Sequence, residues 1–176
     1  YEGSRRIEAG ERPGLDATAA ALNRNRFGIA FMGTLLMMFL YGWLRVATML
    51  FALFFGLEAP PLEHALSRAF LSPDTIIYGA TGTIIGAVLA SLVFGATAVS
   101  LPMLVDRRVD AVTAAATSMR AVTANPMTAA FWAFLIVAIT FTASLPAFLG
   151  LIVAVPVIGH ATWHAYRDLV MPAEAP

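Results

Sequence analysis

The chain has 176 residues, 59% of them hydrophobic and only 12% charged, with a formal net charge of zero and no cysteine. Soluble domains carry about 25% charged residues, and no basic excess is present here to argue for a nucleic acid partner. Without thiols, disulfides, thiolate metal sites and cysteine catalysis are excluded. The charges are also segregated: residues 27–44, 46–57, 76–105 and 121–166 contain no Asp, Glu, Lys or Arg. A hydrocarbon core about 30 Å thick takes about 20 apolar helical residues, and lipid-exposed backbone must bond within its own segment, so these stretches are expected to be helices. Strand-like alternation is absent, which argues against a barrel. The expected fold is an all-α integral membrane protein. It has four transmembrane helices and an amphipathic interfacial elbow helix between spans 2 and 3.

Residues 1–26 are polar, with Arg5, Arg6, Glu8, Glu11, Arg12, Arg24 and Arg26, and read as a solvated cytoplasmic segment. They begin with Tyr1 and lack the apolar core of a signal peptide, which suggests a mature or partial form. Asp16 is a candidate N-cap for a short interfacial helix over residues 16–22. Span 1 is placed at 27–57, interrupted only by Arg45. An intramembrane charge marks either a function or a buried partner. Eighteen residues after Phe27, however, Arg45 lies about 27 Å along a helix, at the far edge of the core. It is expected to snorkel outward there, with Tyr41 and Trp43 as belt residues.

Residues 58–75, with Pro60-Pro61, His64 and Ser72-Pro73, read as a loop. Span 2, at 75–104, places Gly79, Gly82, Gly86 and Ala90 on one face, a spacing that lets helices approach closely in lipid. Pro102 is expected to kink or end it. The elbow, 106–125, has an apolar stripe at Val105, Val109, Val112, Ala116 and Met119. Asp106 is its candidate N-cap, and Arg107 can pair with Asp110. Arg107, Arg108 and Arg120 are candidates for lipid head groups. Pro126 suits the first turn of span 3, at 126–144. Leu145-Pro146-Ala147 gives a tight turn into span 4, at 147–168, with a bent re-entrant pair as the alternative. The spans make up a membrane domain over 27–170, and residues 171–176 form a tail. Placing the N-terminus inside puts nine arginines on the cytoplasmic side, with Arg68 outside and Arg45 at the outer edge. This positive-inside asymmetry predicts a multi-pass inner-membrane protein with both termini of the chain cytoplasmic.

Chemistry concentrates near the end. His160, His164 and Asp168 recur at i, i+4, i+8 on one helical face. Two histidines four apart can share a metal, although without the Glu of H-E-x-x-H the motif is weak. The bland alternative is an amphipathic surface at the inner interface, where Trp163 and Tyr166 are at home. A bis-histidine haem needs a second helix, and His64 is expected on the opposite side. No nucleophile–base pair, phosphate loop or paired intramembrane carboxylates appear, so no catalytic residue is assigned.

The runs Val99-Ser-Leu-Pro-Met-Leu-Val-Asp-Arg-Arg-Val-Asp, Thr117-Ser-Met-Arg-Ala-Val-Thr-Ala-Asn-Pro-Met and Gly159-His-Ala-Thr-Trp-His-Ala-Tyr-Arg resemble a proteobacterial family of integral membrane proteins, domain of unknown function 2189. The resemblance extends over residues 27–170. It implies an inner-membrane location and further spans upstream in other members, and it supplies no catalytic residues. Some members are labelled cytochrome c oxidase subunit I, but such a subunit needs several haem and copper histidines, and this chain has three in all.

Three functions are weighed. The first is a non-catalytic accessory or assembly subunit packing against other membrane protein subunits, in respiratory or photosynthetic electron transport. The second is a lipid or small-molecule transporter component. The third is a metal- or haem-binding redox protein using His160 and His164. Membrane lipids are the common partner of all three.

Overall fold

The computed structural model describes residues 1–10, 14, 23–56 and 73–170. Seven helices form among them: α1 (Glu2–Glu8), α2 (Arg26–Phe55), α3 (Pro73–Thr97), α4 (Ser100–Asp106), α5 (Ala111–Ala124), α6 (Pro126–Ser144) and α7 (Leu151–Leu169). The expected 16–22 helix, most of the 58–75 loop, His64, Arg68 and the 171–176 tail lie outside the described residues.

Local chemistry accounts for most helix ends. α2 stops at Gly56, whose φ of +79° suits a residue without Cβ, and the Gly56 N–H closes on the Ala52 carbonyl at 2.9 Å. Pro73 and Pro126 open α3 and α6, where a missing N–H costs nothing. The break between α3 and α4 precedes Pro102. That ring removes the bond to the Ala98 carbonyl and crowds it, so the backbone departs from the helix at residues 98–99. Ser118 Oγ accepts the Val99 N–H at 3.0 Å and keeps the break satisfied in the interior.

Among the described residues, three segments can cross a membrane by length and composition: α2, α3 with α4 (Pro73–Asp106), and α6. The expected fourth span is a helix, α7, but it falls short of that standard. Its second half carries His160, Thr162, His164, Arg167 and Asp168, leaving residues 151–158 as the apolar part. Eight residues rise about 12 Å, well short of the core thickness.

The elbow also differs in detail. Its helix begins at Ala111, and Asp110, not Asp106, is the N-cap: the Asp110 carboxylate accepts the Thr113 N–H at 2.8 Å. α4 keeps Asp106 helical, and Arg107 is extended at φ −123°, ψ 153°. The packed side of the helix is not the apolar stripe. Ala111, Ala114 and Ser118 are buried, whereas Val112 and Met119 are exposed. Met119 reaches α3 where that helix has no side chain: a Cβ built on Gly95 would come within 2.9 Å of Met119 Sδ. At 14 residues α5 is too short to span.

The chain divides into two units. The first is Tyr1–Gly33 with Phe94–Pro176. There α4 packs on α5 and α7, α6 pairs with α7, and α1 docks on α4 and α7. Met32, Val99, Leu104, Trp163 and Tyr166 are fully buried in it. The N-terminal segment is therefore not a free polar tail: residues 2–8 form a packed helix. The α6–α7 connection is tight. Ala147 and Phe148 adopt positive φ (50° and 65°), and Gly150 lies so near Ala143 that a Cβ would meet its carbonyl oxygen at 2.6 Å.

The second unit is Thr34–Val93, the pair made by the later part of α2 and most of α3. Phe51, Phe54 and Phe55 gather around the Tyr78 ring with centroids 5.1–6.3 Å away. Trp43 reaches across to Gly86, where a Cβ would sit 3.0 Å from its ring. A crevice bordered by Trp43, Ala47, Leu50, Tyr78, Gly79 and Gly82 remains between the helices.

Candidate functional site

The polar residues of the first unit converge where α1, α4 and the second half of α7 meet. The α7 sequence dictates the arrangement. Trp163 and Tyr166, three apart, turn inward and are fully buried. His160, His164 and Arg167, four and three apart, share the adjoining face. Each buried aromatic carries one polar atom, and each atom finds a partner. Trp163 Nε1 donates to Glu8 Oε1 at 2.9 Å, and Tyr166 OH donates to Asp106 Oδ2 at 2.8 Å. Asp106 also faces Arg107 Nε at 3.6 Å, and the Arg107 guanidinium lies 5.9 Å over the Tyr166 ring.

α1 supplies the complementary face. Ser4 Oγ is 2.7 Å from His160 Nδ1, and Glu8 Oε1 is 3.5 Å from His164 Nδ1. The other carboxylate oxygen of Glu8 is 3.6 Å from Arg167 Nε. Ser4 and Glu8 are one helical turn apart, as are His160 and His164, so the two helices pair turn for turn. Between the histidines the two Nε2 atoms approach to 3.2 Å, with ring planes at 87°.

A second cluster anchors the same helix. Glu2 is 5% exposed and takes both Arg5 Nε (2.8 Å) and Nη2 (2.6 Å), with Arg6 Nε at 3.1 Å and Arg24 Nη2 at 3.8 Å. Hydrogen bonding from Arg5, most of all, holds the Glu2 carboxyl down at about 2 against the opposing effect of burial. Next to it Asn25 Nδ2 donates to the Leu104, Arg107 and Val109 carbonyls (3.3, 3.3 and 2.8 Å), and Arg24 reaches the Val105 carbonyl. These are the orphan acceptors that the end of α4 leaves behind.

Of the residues singled out in the sequence, His160 and His164 are brought together, and no hydrogen bond or ion pair joins Asp168 to either. Among the described residues no group of three or more His, Cys, Asp or Glu side chains converges as a metal centre. Arg108 is exposed and borders a groove with Arg24, Phe27, Phe31 and Val112, while Arg120 is exposed on α5. Arg45 folds back on its own helix, donating from Nε to Tyr41 OH at 2.8 Å and stacking over that ring at 4.9 Å. On α3, Gly86 is covered by Trp43, whereas Gly79 and Gly82 have no atom within 4 Å of an added Cβ. The reading missed Ser4, Glu8 and Asn25. The available signal was the i, i+4 spacing of Ser4 and Glu8, which matches that of the histidines.

The model of a family described as "Predicted integral membrane protein (DUF2189)" matches residues 1–106. The match spans α1 to α4 and ends before the elbow and before the Gly159–Arg167 stretch. No curated protein and no solved structure matches the chain.

Proposed function

The chain belongs to this family of integral membrane proteins, and we propose that it serves as a non-catalytic accessory or assembly subunit of a larger inner-membrane complex. One observation carries the reading. α6 contributes no buried residue, and it presents Phe131, Phe134 and Phe141 more than 60% exposed along one side. A helix apolar all round and unburied by its own chain belongs in lipid or against another subunit. The rest of the molecule offers little to a substrate. Ser91 Oγ returns to the Ala87 carbonyl of its own helix, and the charged groups of the cap are engaged with one another.

Orientation follows as part of the same proposal. Arg5, Arg6, Arg24, Arg107 and Arg167 gather in one cap, which supports placing it on the cytoplasmic side. Arg108 and Arg120, exposed beside apolar side chains, then meet lipid head groups, with Arg107 held by Asp106. Mild-detergent purification of the tagged protein from native membranes, with mass spectrometry and a visible spectrum, tests the reading. Stoichiometric co-purification with a complex supports it, and a haem spectrum would mark that complex as electron-transport machinery. Phe131→Ser with Phe134→Ser should release the partner, and a pure, partner-free wild type removes the proposal.

A further inference from the structure

We propose that His160 and His164 form a two-histidine site for a late first-row divalent cation, with Glu8 and Ser4 of α1 as the groups that orient the ligands. The Nε2–Nε2 separation of 3.2 Å is close to what a tetrahedral ion imposes. Nitrogens about 2.0–2.1 Å from a common centre lie about 3.3 Å apart. The two rings come from successive turns of α7, with centroids 4.6 Å apart and planes at 87°.

The far side of each ring strengthens the assignment. A metal-bound histidine characteristically gives its other ring N–H to a carboxylate or another oxygen, which fixes the tautomer. Here His160 Nδ1 meets Ser4 Oγ at 2.7 Å, and His164 Nδ1 faces Glu8 Oε1 at 3.5 Å. A cation at the shared point would select the tautomer with Nδ1–H on both rings, aimed at these oxygens; without it one Nε2–H can donate to the other Nε2 across the 3.2 Å gap. Glu8 is held independently by Trp163 and Arg167, so the orienting carboxylate is fixed before any ion arrives. His164 is 52% exposed, which leaves an entry path. Two imidazoles and no thiolate suit Cu²⁺, Ni²⁺ and Zn²⁺, with Cu²⁺ the tightest. The remaining coordination positions belong to water or to a partner's side chain.

The test uses the full chain in mild detergent, carrying a tag without histidine, titrated with CuCl₂, ZnCl₂ and NiCl₂. The expected result is one Cu²⁺ per chain, a paramagnetic resonance spectrum with two imidazole nitrogens, and weaker Zn²⁺ and Ni²⁺ binding at the same site. His160→Asn and His164→Asn should each abolish the two-nitrogen signature. Both rings are exposed, so the helical circular dichroism should be unchanged. Glu8→Gln should weaken binding about 10–100-fold while the signature survives. Absence of one-to-one binding by the wild type, or binding that persists in the double His→Asn variant, overturns the site. Affinity unchanged in Glu8→Gln overturns the role given to α1.

Discussion

The cap of the first unit and the helix pair of the second are built on opposite plans. In the cap, two large aromatics are fully buried and each spends its one polar atom on a carboxylate from another helix. Among the described residues of the Thr34–Val93 pair, Leu50 is the buried large one, and contact runs through rings laid across a crevice. The cap is specified by directional bonds, each of which has one correct partner. The pair is specified by shape, and its apolar faces find no penalty in lipid. Damage to the first should therefore be steep and local, and damage to the second shallow.

The largest expected effect is Trp163→Ala. Truncating a fully buried aromatic typically costs about 3–5 kcal/mol, and Glu8 also loses its donor, so chemical unfolding in detergent should shift strongly. Phe54→Ala in the pair should shift it much less, and equal shifts would erase the contrast. Next comes Tyr166→Phe, which keeps the ring but removes the hydroxyl bond to Asp106 and leaves Arg107 as its partner. Loss of one hydrogen bond to a half-buried carboxylate costs about 1.5 kcal/mol, measurable by the same unfolding. Asp110→Ala removes the α5 cap, seen as faster amide exchange at residues 111–114.

Acid probes the cap by another route. Because the Glu2 carboxyl is held at about 2 against an ordinary 4.5, the stabilisation of α1 is complete above about 4.5. It declines as pH falls towards 2. Protection factors for amide exchange in residues 2–8, corrected for the intrinsic rate at each pH, should fall across that window in the wild type, and Glu2→Gln should show low protection throughout with a flatter profile. The smallest effects belong to the pair. Gly82→Ala meets no atom within 4 Å and should stabilise α3 slightly, by up to about 1 kcal/mol of helix propensity. Gly86→Ala must displace the Trp43 ring, and Trp43 fluorescence should report it.

The apolar helices were legible because long charge-free runs have only one stable form in lipid, and Pro126 marked the start of α6 directly. Asp110 was harder. Two aspartates precede the elbow, and choosing between them depends on Pro102, which breaks the chain early enough for α4 to carry on to Asp106. The packed side of α5 was not legible either: Ala111, Ala114 and Ser118 turn inward, and an apolar stripe on an interfacial helix does not say whether protein or lipid will meet it. The docking of α1 was not legible at all. Its seven residues are mostly polar and too few to hold a helix alone, and its partners on α7 stand more than 150 positions away. Only the tertiary fold brings Glu8 to Trp163.

The turn-for-turn pairing of α1 with α7 works as a vernier. Ser4 meets His160 and Glu8 meets His164 because both helices space their polar groups by the same four residues. Sliding α1 by one turn, about 5.4 Å, would still set Glu8 opposite His160, so the histidine face alone tolerates two alignments. Trp163 breaks the tie. Its single N–H reaches Glu8 in the observed alignment, and a slide of one turn carries that carboxylate away, so an indole with one donor helps set the longitudinal position of the N-terminal helix.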